Sequence, residues 1–222
     1  MPSREIAMEL LAAIHERRAT REFESSEVSR SDLSRLIDAA LWAPSAMNGQ
    51  SWHFAVVTDR ALLQKISDQA KAWFLHNAPG GSNEERLKAM LRDPDFQLFH
   101  HAPALIVISA PDDERWSTEN CALAAQNLML AATELALGTC WIGMAQGWLN
   151  TPEGHQAIRL PPRLRVVAPI IVGYPRKLTA ACLVHRKSPD IVWIAPQPAA
   201  FMEDGGPRAG TSHGVYGTLV HP

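Results

Sequence analysis

Cysteine is scarce in this chain, with three in 222 residues. Cys121, Cys140 and Cys182 are widely separated and show no CxxC spacing. That argues against a disulfide framework or a thiolate zinc site and fits reduced thiols in a cytosol. An excess of charge is missing too: the formal net charge of −2 speaks against general affinity for nucleic acid or an anionic membrane. No apolar run approaches membrane-spanning length, and "MPSREIAMEL" carries charge where a signal peptide needs an apolar stretch. The expectation is a cytosolic protein. No GxGxxG follows a strand, and neither GxxxxGK[ST] nor GxSxG occurs, so Rossmann, P-loop and α/β-hydrolase readings fall away. The nine histidines form no HExxH, and the adjacent His100 and His101 make a poor chelating pair.

What is present is ordinary globular material, 46% hydrophobic and 20% charged, long enough for one large domain or one and a half small ones. Ile6, Leu10 and Ile14 at fourfold spacing predict an amphipathic helix over residues 4–17. Ser29 with Asp32 three residues on is a capping-box-like start for a second helix, which must stop before Pro44. "WHFAVV" reads as a buried strand, followed by a helix over about 59–74 and a shorter one ending near Pro94. "ALIVISA", 104–110, is a fully buried strand. Residues 117–137 form a long, mostly buried helix, and "TCWIGM" is an apolar run after Gly138. Thr151 and Pro152 begin another short helix. "RLRVVAPIIVGYP" is a strand in which Pro169 suggests a bulge or an edge. The fold class is α+β, with a few strands enclosed by helices.

Two basic clusters and one polar turn are left over. Arg17, Arg18 and Arg21 end the first helix; they either complement its dipole or clamp an anion through bidentate forks. His185, Arg186 and Lys187 form the second cluster, by itself a solvated loop. Together, in a chain of slightly negative charge, the two suggest phosphate on a small ligand. In "APSAMNGQSWHF", 43–54, a helix stop and an Asn-Gly turn explain Pro44, Asn48 and Gly49. Ser45 and Gln50 stay unexplained, since polar groups beside a buried strand need partners. A flat heterocycle rich in carbonyls and ring nitrogens would satisfy them.

"RRATREF", "APSAMNGQSWHF", "HHAPALIVI", "ENCALAAQNLMLAATELALGTCWIGM" and "VGYP", in that order, resemble the FMN-dependent nitroreductase family from about residue 6 to 186. The resemblance implies a mainly antiparallel central sheet enclosed by helices, an interlocked homodimer and an FMN in each of two interface sites. It implies a flavin domain over 1–190 and a C-terminal extension, 191–222, wrapping the partner subunit. Carried over by position, Arg17 and Arg18 match the contacts to the flavin phosphate and ribityl chain, and Arg21 the cation near the pyrimidine edge. Pro44, Ser45, Ala46, Asn48 and Gln50 match the loop that reaches the flavin largely from the partner subunit. Trp141, Ile142, Gly143 and Met144 match the segment over the reactive face, and Arg186 and Lys187 the C-terminal phosphate contact. Ala19 replaces the family's usual serine, leaving a backbone bond where a hydroxyl bond would be.

Such an enzyme needs no catalytic residue of its own, because the flavin carries the redox chemistry; Arg21 would stabilise negative charge on its reduced form. The implied activity is ping-pong, with NAD(P)H as reductant and a nitroaromatic, quinone or related acceptor as oxidant. Alternatives are a reductive dehalogenase, an azoline oxidase or a flavin-fragmenting enzyme on the same scaffold, or a binding module without turnover. The stretch 70–95 is expected to shape the substrate pocket, with Asn77 near the flavin. Of the seven tryptophans, Trp73, Trp116 and Trp148 lie outside these motifs; each is either a core anchor or a platform for planar acceptors. Trp116 and then Trp73 are the candidate pocket residues.

Overall fold

Near-continuous apolar runs build the two central strands, buried on both faces, and apolar residues recurring every three to four positions build the helices that cover them. The computed structural model describes residues 9–77, 81–177 and 186–194. Helices are α1 Leu10–Glu16, α2 Arg30–Leu41, α3 Arg60–Asn77, α4 Ser82–Leu91, α5 Ser117–Glu134, α6 Gln146–Leu149 and α7 Pro152–Ala157; strands are β1 His53–Val57, β2 Ala104–Pro111, β3 Gly138–Trp141 and β4 Leu164–Gly173. The sheet runs β1-β2-β4-β3, antiparallel throughout. The chain divides into two units, Met1–Val184 and His185–Pro222. Among the described residues no helix is long and apolar enough to cross a membrane.

Two cores lie on opposite faces of the sheet. Ile106, Ile108, Ile170 and Val172 meet Leu33 and Leu36 of α2 and Ala124 and Leu128 of α5. Leu105, Val107 and Ile171 meet Leu63 and Ile66 of α3 and Trp148 and Leu149 of α6. The expected helix starts rest on their caps. The Ser29 Oγ accepts from the Asp32 N–H at 3.0 Å, and the Thr151 Oγ1 accepts from the Gly154 N–H at 3.1 Å.

Four sequence expectations need correction. The strand at 53–57 is a half-buried sheet edge, with Val56 42% exposed, because only β2 pairs with it. Of the two alternatives for Pro169 the structure shows the bulge and not the edge: the strand is interior, and the register shift falls beside Pro169, opposite Ile108 and Ser109, so that Val167 and Ala168 both face the α5 core. Its missing donor falls where β3 ends, since the Ile142 N–H donates to the Pro169 carbonyl at 2.8 Å and proline cannot donate back. The third helix runs on to Asn77, and the long fifth one stops at Glu134. The 46–49 turn is no simple Asn-Gly turn. Met47, Asn48 and Gln50 have φ of 53°, 53° and 48°, whereas Gly49 has φ −67°. Of the first predicted helix, residues 4–8 lie outside the described residues.

Candidate functional site

After α1 the chain runs along the free edge of β3. Ala19 bridges Thr139, the Thr20 N–H donates to the Thr139 carbonyl at 2.9 Å, and the Glu24 N–H to the Tyr174 carbonyl at 2.9 Å. The contact is close: a Cβ on Gly138 would sit 2.5 Å from the Thr20 Oγ1. The first basic cluster is therefore held beside Trp141–Met144, the neighbourhood the resemblance implied. Arg18 donates through Nη1 to the carbonyls of His15 and Arg17, each at 2.7 Å, closing the end of α1. Arg17 differs. Its Nε is buried with no hydrogen-bond partner among the described residues, an arrangement that calls for a ligand or water. The Arg21 guanidinium is exposed, with no hydrogen bond or ion pair among the described residues. Gly143 has open space where a side chain would stand, with nothing within 4 Å of an added Cβ. A buried orphan donor, an open cation and bare backbone fit an anionic, planar group such as FMN.

The polar loop is placed elsewhere. Its Ser45 Oγ accepts from the Gln50 N–H at 3.1 Å, and the Gln50 Nε2 donates to the Asn48 Oδ1 at 3.1 Å. Ser45 and Gln50 thus find partners inside the loop, correcting the idea that only a heterocycle would supply them. Pro44, Asn48 and Gln50 are exposed, Ser45 and Ala46 partly so. A residue that sequence reasoning missed fixes this loop to α5: the buried Asn120 accepts at Oδ1 from the Ala46 N–H, 3.0 Å away, while its Nδ2 has no partner among the described residues. The available signal was one amide on an otherwise alanine- and leucine-rich face. Asn120→Ala is expected to cost about 1–2 kcal/mol, as for a buried bond lost on one side, and to speed proteolysis within 45–50. Asn120→Asp, which keeps the acceptor, should lose less. Urea denaturation reads both, and an unchanged Asn120→Ala midpoint would refute the tether.

Within one chain the two half-sites are far apart. Thr139, beside Ala19, is level with Ala104, whereas His53, which follows the loop, is level with Ser109. Three strand spacings and five residues along the strand separate them, roughly 20 Å in all. The structure therefore sets the Arg17–Arg21 segment against β3, the strand that leads into Trp141–Met144, and holds Pro44–Gln50 toward the diagonal corner.

Trp148 is core, 6% exposed. Trp73 is half-buried with its ring against Gly147. Trp116 is 45% exposed, with the Arg115 guanidinium carbon 4.8 Å from the ring centroid. Asn77, exposed at the end of α3, donates to the Trp73 carbonyl at 2.8 Å. Arg186 and Lys187 are exposed residues of the second unit; His185 and Cys182 lie outside the described residues. Burial pushes the Cys121 thiol up to about 12 against the opposing pull of Arg165, and raises that of Cys140 against the pull of Arg21. Neither supplies a thiolate at neutral pH.

The fold is α+β, an antiparallel four-stranded sheet covered by helices on both faces. Residues 14–174 match the Nitroreductase family; the chain belongs to that family. A nitroreductase from Bacteroides fragilis with bound FMN superposes with a TM-score of 0.71 at 25% identity, over 85% of this chain and 100% of that one. An iodotyrosine deiodinase bound to FMN and 3-iodo-L-tyrosine gives 0.63 at 26% identity, over 83% and 98%. The iodotyrosine deiodinase of Thermotoga neapolitana is 28% identical over 166 residues, 72% of this chain and 84% of that protein. Two archaeal proteins provisionally named NADH dehydrogenase/NAD(P)H nitroreductase also match. The one from Archaeoglobus fulgidus is 43% identical over 60 residues, and the one from Methanothermobacter thermautotrophicus 30% over 126. The matches cover 27% and 54% of this chain, and only 34% and 53% of those proteins.

Proposed function

We propose that the protein is an FMN-dependent NAD(P)H oxidoreductase that works as a homodimer with two shared sites. Two observations carry this: the buried Arg17 Nε has no hydrogen-bond partner among the described residues, and the backbone at Gly143 is open, in a chain whose relatives include an FMN-bound nitroreductase. Arg17 and Arg18 would hold the phosphate and ribityl chain. Ala19 would contribute only backbone, and Arg21 would place its charge at the pyrimidine edge. Trp141–Met144 would support the reactive face. When bound, FMN supplies the redox chemistry, accepting a hydride and returning reducing equivalents. NAD(P)H leaves before a nitroaromatic, quinone or related acceptor enters the same pocket, beside which Trp116 offers an aromatic face.

The separation of the half-sites supports sharing. Pro44, Ser45, Ala46, Asn48 and Gln50 then serve the flavin bound mainly by the partner copy. An apolar surface is available for that contact: Leu10 and Leu11 on α1, Trp42 at 81% exposure and Met47 at 99%. Residues 1–190 form the flavin domain in this reading. The exposed Ile191–Ile194 begin an extension that lies against the partner subunit.

Anaerobic stopped-flow mixing of the purified protein with NADH or NADPH tests the reading. Flavin absorbance should bleach, and a nitroaromatic or quinone should restore it; denaturation should release FMN, and sedimentation should give a dimer. A colourless monomer, or flavin that neither nucleotide reduces, would overturn it. The deiodinase similarity favours one second reading, reductive dehalogenation, which halide release from a halogenated phenol would reveal.

A further inference from the structure

Beside the proposed flavin surface lies a cleft of about 330 Å³ to which Arg21, Arg176, His100 and His101 all contribute. Its construction is unusual. His100 and His101 have φ of 52° and 58°, two successive non-glycine residues in the left-handed region, which sterics disfavour. Successive residues of an extended strand point to opposite sides; this backbone instead brings both imidazoles to one cleft. His100 is further fixed edge-on to Phe96, with ring centroids 5.6 Å apart. Arg176 is anchored by its own backbone, its N–H donating to the Glu22 carbonyl at 2.9 Å, and by Nη2 donating to the Phe23 carbonyl at 3.3 Å. Its remaining donors, and all those of Arg21, have no partner among the described residues. Asp95 and Glu22 also face the cleft, yet neither forms an ion pair with Arg21 or Arg176, so the guanidinium groups are not neutralised from within. Burial first, then Arg21 and then His101, hold His100 below its ordinary pKa.

We propose that this cleft is an oxyanion subsite, binding a phosphate or carboxylate carried by one of the two substrates. An oxyanion provides counter-charge for the open fork of Arg21 and for the donors of Arg176 not used on Phe23, and it opposes the smaller part of the His100 depression, that due to Arg21 and His101. The cleft accommodates the acidic group and a short stem. The flavin's own phosphate is matched to different residues, Arg17 and Arg18. The assignment to a substrate rests on the oxidoreductase reading, because Arg21 belongs to both surfaces.

The test is a titration of the protein as purified with inorganic pyrophosphate, read by proton NMR of the histidine Cε1–H resonances, with His100→Gln and His101→Asn as assignments. Asparagine is chosen at 101 because it tolerates the left-handed backbone. The resonances of His100 and His101 should shift and saturate. Arg176→Gln should weaken binding about tenfold or more, the loss of one charged hydrogen bond, and His101→Asn should also weaken it; both variants should leave flavin absorbance unchanged. No saturable shift, or one that neither variant alters, overturns the subsite. Kinetics of Arg176→Gln then separate the sources. A higher KM confined to the nucleotide half-reaction assigns the phosphates of NAD(P)H. A loss seen with 4-nitrobenzoate and not with nitrobenzene assigns an acidic acceptor. If neither half-reaction changes, the substrate role is wrong. The pyrophosphate titration remains readable on protein that carries no flavin, so failure of the oxidoreductase reading and failure of the subsite are distinguishable.

Discussion

Gly147→Ala is expected to lose about 3 kcal/mol of folding stability, the upper part of the usual range for overpacking. A Cβ on Gly147 would lie 2.0 Å from Cζ3 and 2.3 Å from Cη2 of Trp73, inside any van der Waals contact. Relief requires either the indole or α6 to move. The helix is pinned from its other side: the Gln146 Nε2 donates to the Val166 carbonyl at 3.1 Å, the Val166 N–H donates to the Asn150 Oδ1 at 2.8 Å, and Trp148 and Leu149 are buried. So the indole must leave. The indole and the half-buried Met144 pack against the same core cluster, so departure of the indole loosens the packing of the segment that the proposed function places beneath the flavin. Loss of stability should therefore be accompanied by loss of flavin. Trp73→Leu removes the obstructing ring, so the double variant should be more stable than the sum of the single losses predicts, a coupling expected between residues in contact. Denaturant unfolding of the four proteins measures it. Additive losses would mean that the two residues are not opposed, and Trp73 would then be free to act as a wall of the substrate pocket.

The same pair of residues shows what can be read from sequence and what cannot. A helix over about 59–74, three residues short of its observed end at Asn77, and the apolar run after Gly138 are visible in periodicity and glycine placement, because local spacing decides which face of an element is buried. The approach of Trp73 to Gly147 is not, since it depends on how two elements 74 residues apart pack, and no local pattern encodes that. The candidate site divides along the same line. Arg17, Arg18 and Arg21 were legible as a cluster, and the bridge from Ala19 to Thr139 explains why they adjoin Trp141. Their individual roles were not legible: Arg18 closes its own helix end through Nη1, while Arg17 makes no side-chain hydrogen bond among the described residues. The polar loop was misjudged for a related reason. Ser45 and Gln50 satisfy one another through a backbone with three left-handed residues, a geometry that the Asn-Gly signal suggested one residue too late. Asn120 and Arg176 went unnoticed because each acts on a loop distant in sequence.

Arg17→Ala is expected to weaken FMN binding by roughly 1.5–3 kcal/mol, the range for hydrogen bonds to a charged group, or about tenfold to more than a hundredfold in Kd. Arg17 caps the C-terminal end of α1, and its buried Nε has no partner among the described residues. A cation at a helix C-terminus contributes about 0.3–1 kcal/mol through the dipole, so dipole complementation alone predicts a small loss of stability and no change in flavin affinity. A phosphate contact predicts the reverse weighting. Arg17→Lys tells the two apart, because lysine keeps the charge near the helix end but lacks the planar fork. If phosphate recognition is bidentate, Arg17→Lys should retain stability and still lose most of the flavin affinity. Fluorescence titration of the flavin-stripped protein with FMN gives the affinities, and thermal unfolding of the same stripped samples gives the stability. An Arg17→Ala protein with unchanged Kd and a lowered midpoint would return this residue to a purely structural role, and would move the phosphate to Arg18 and the second basic cluster.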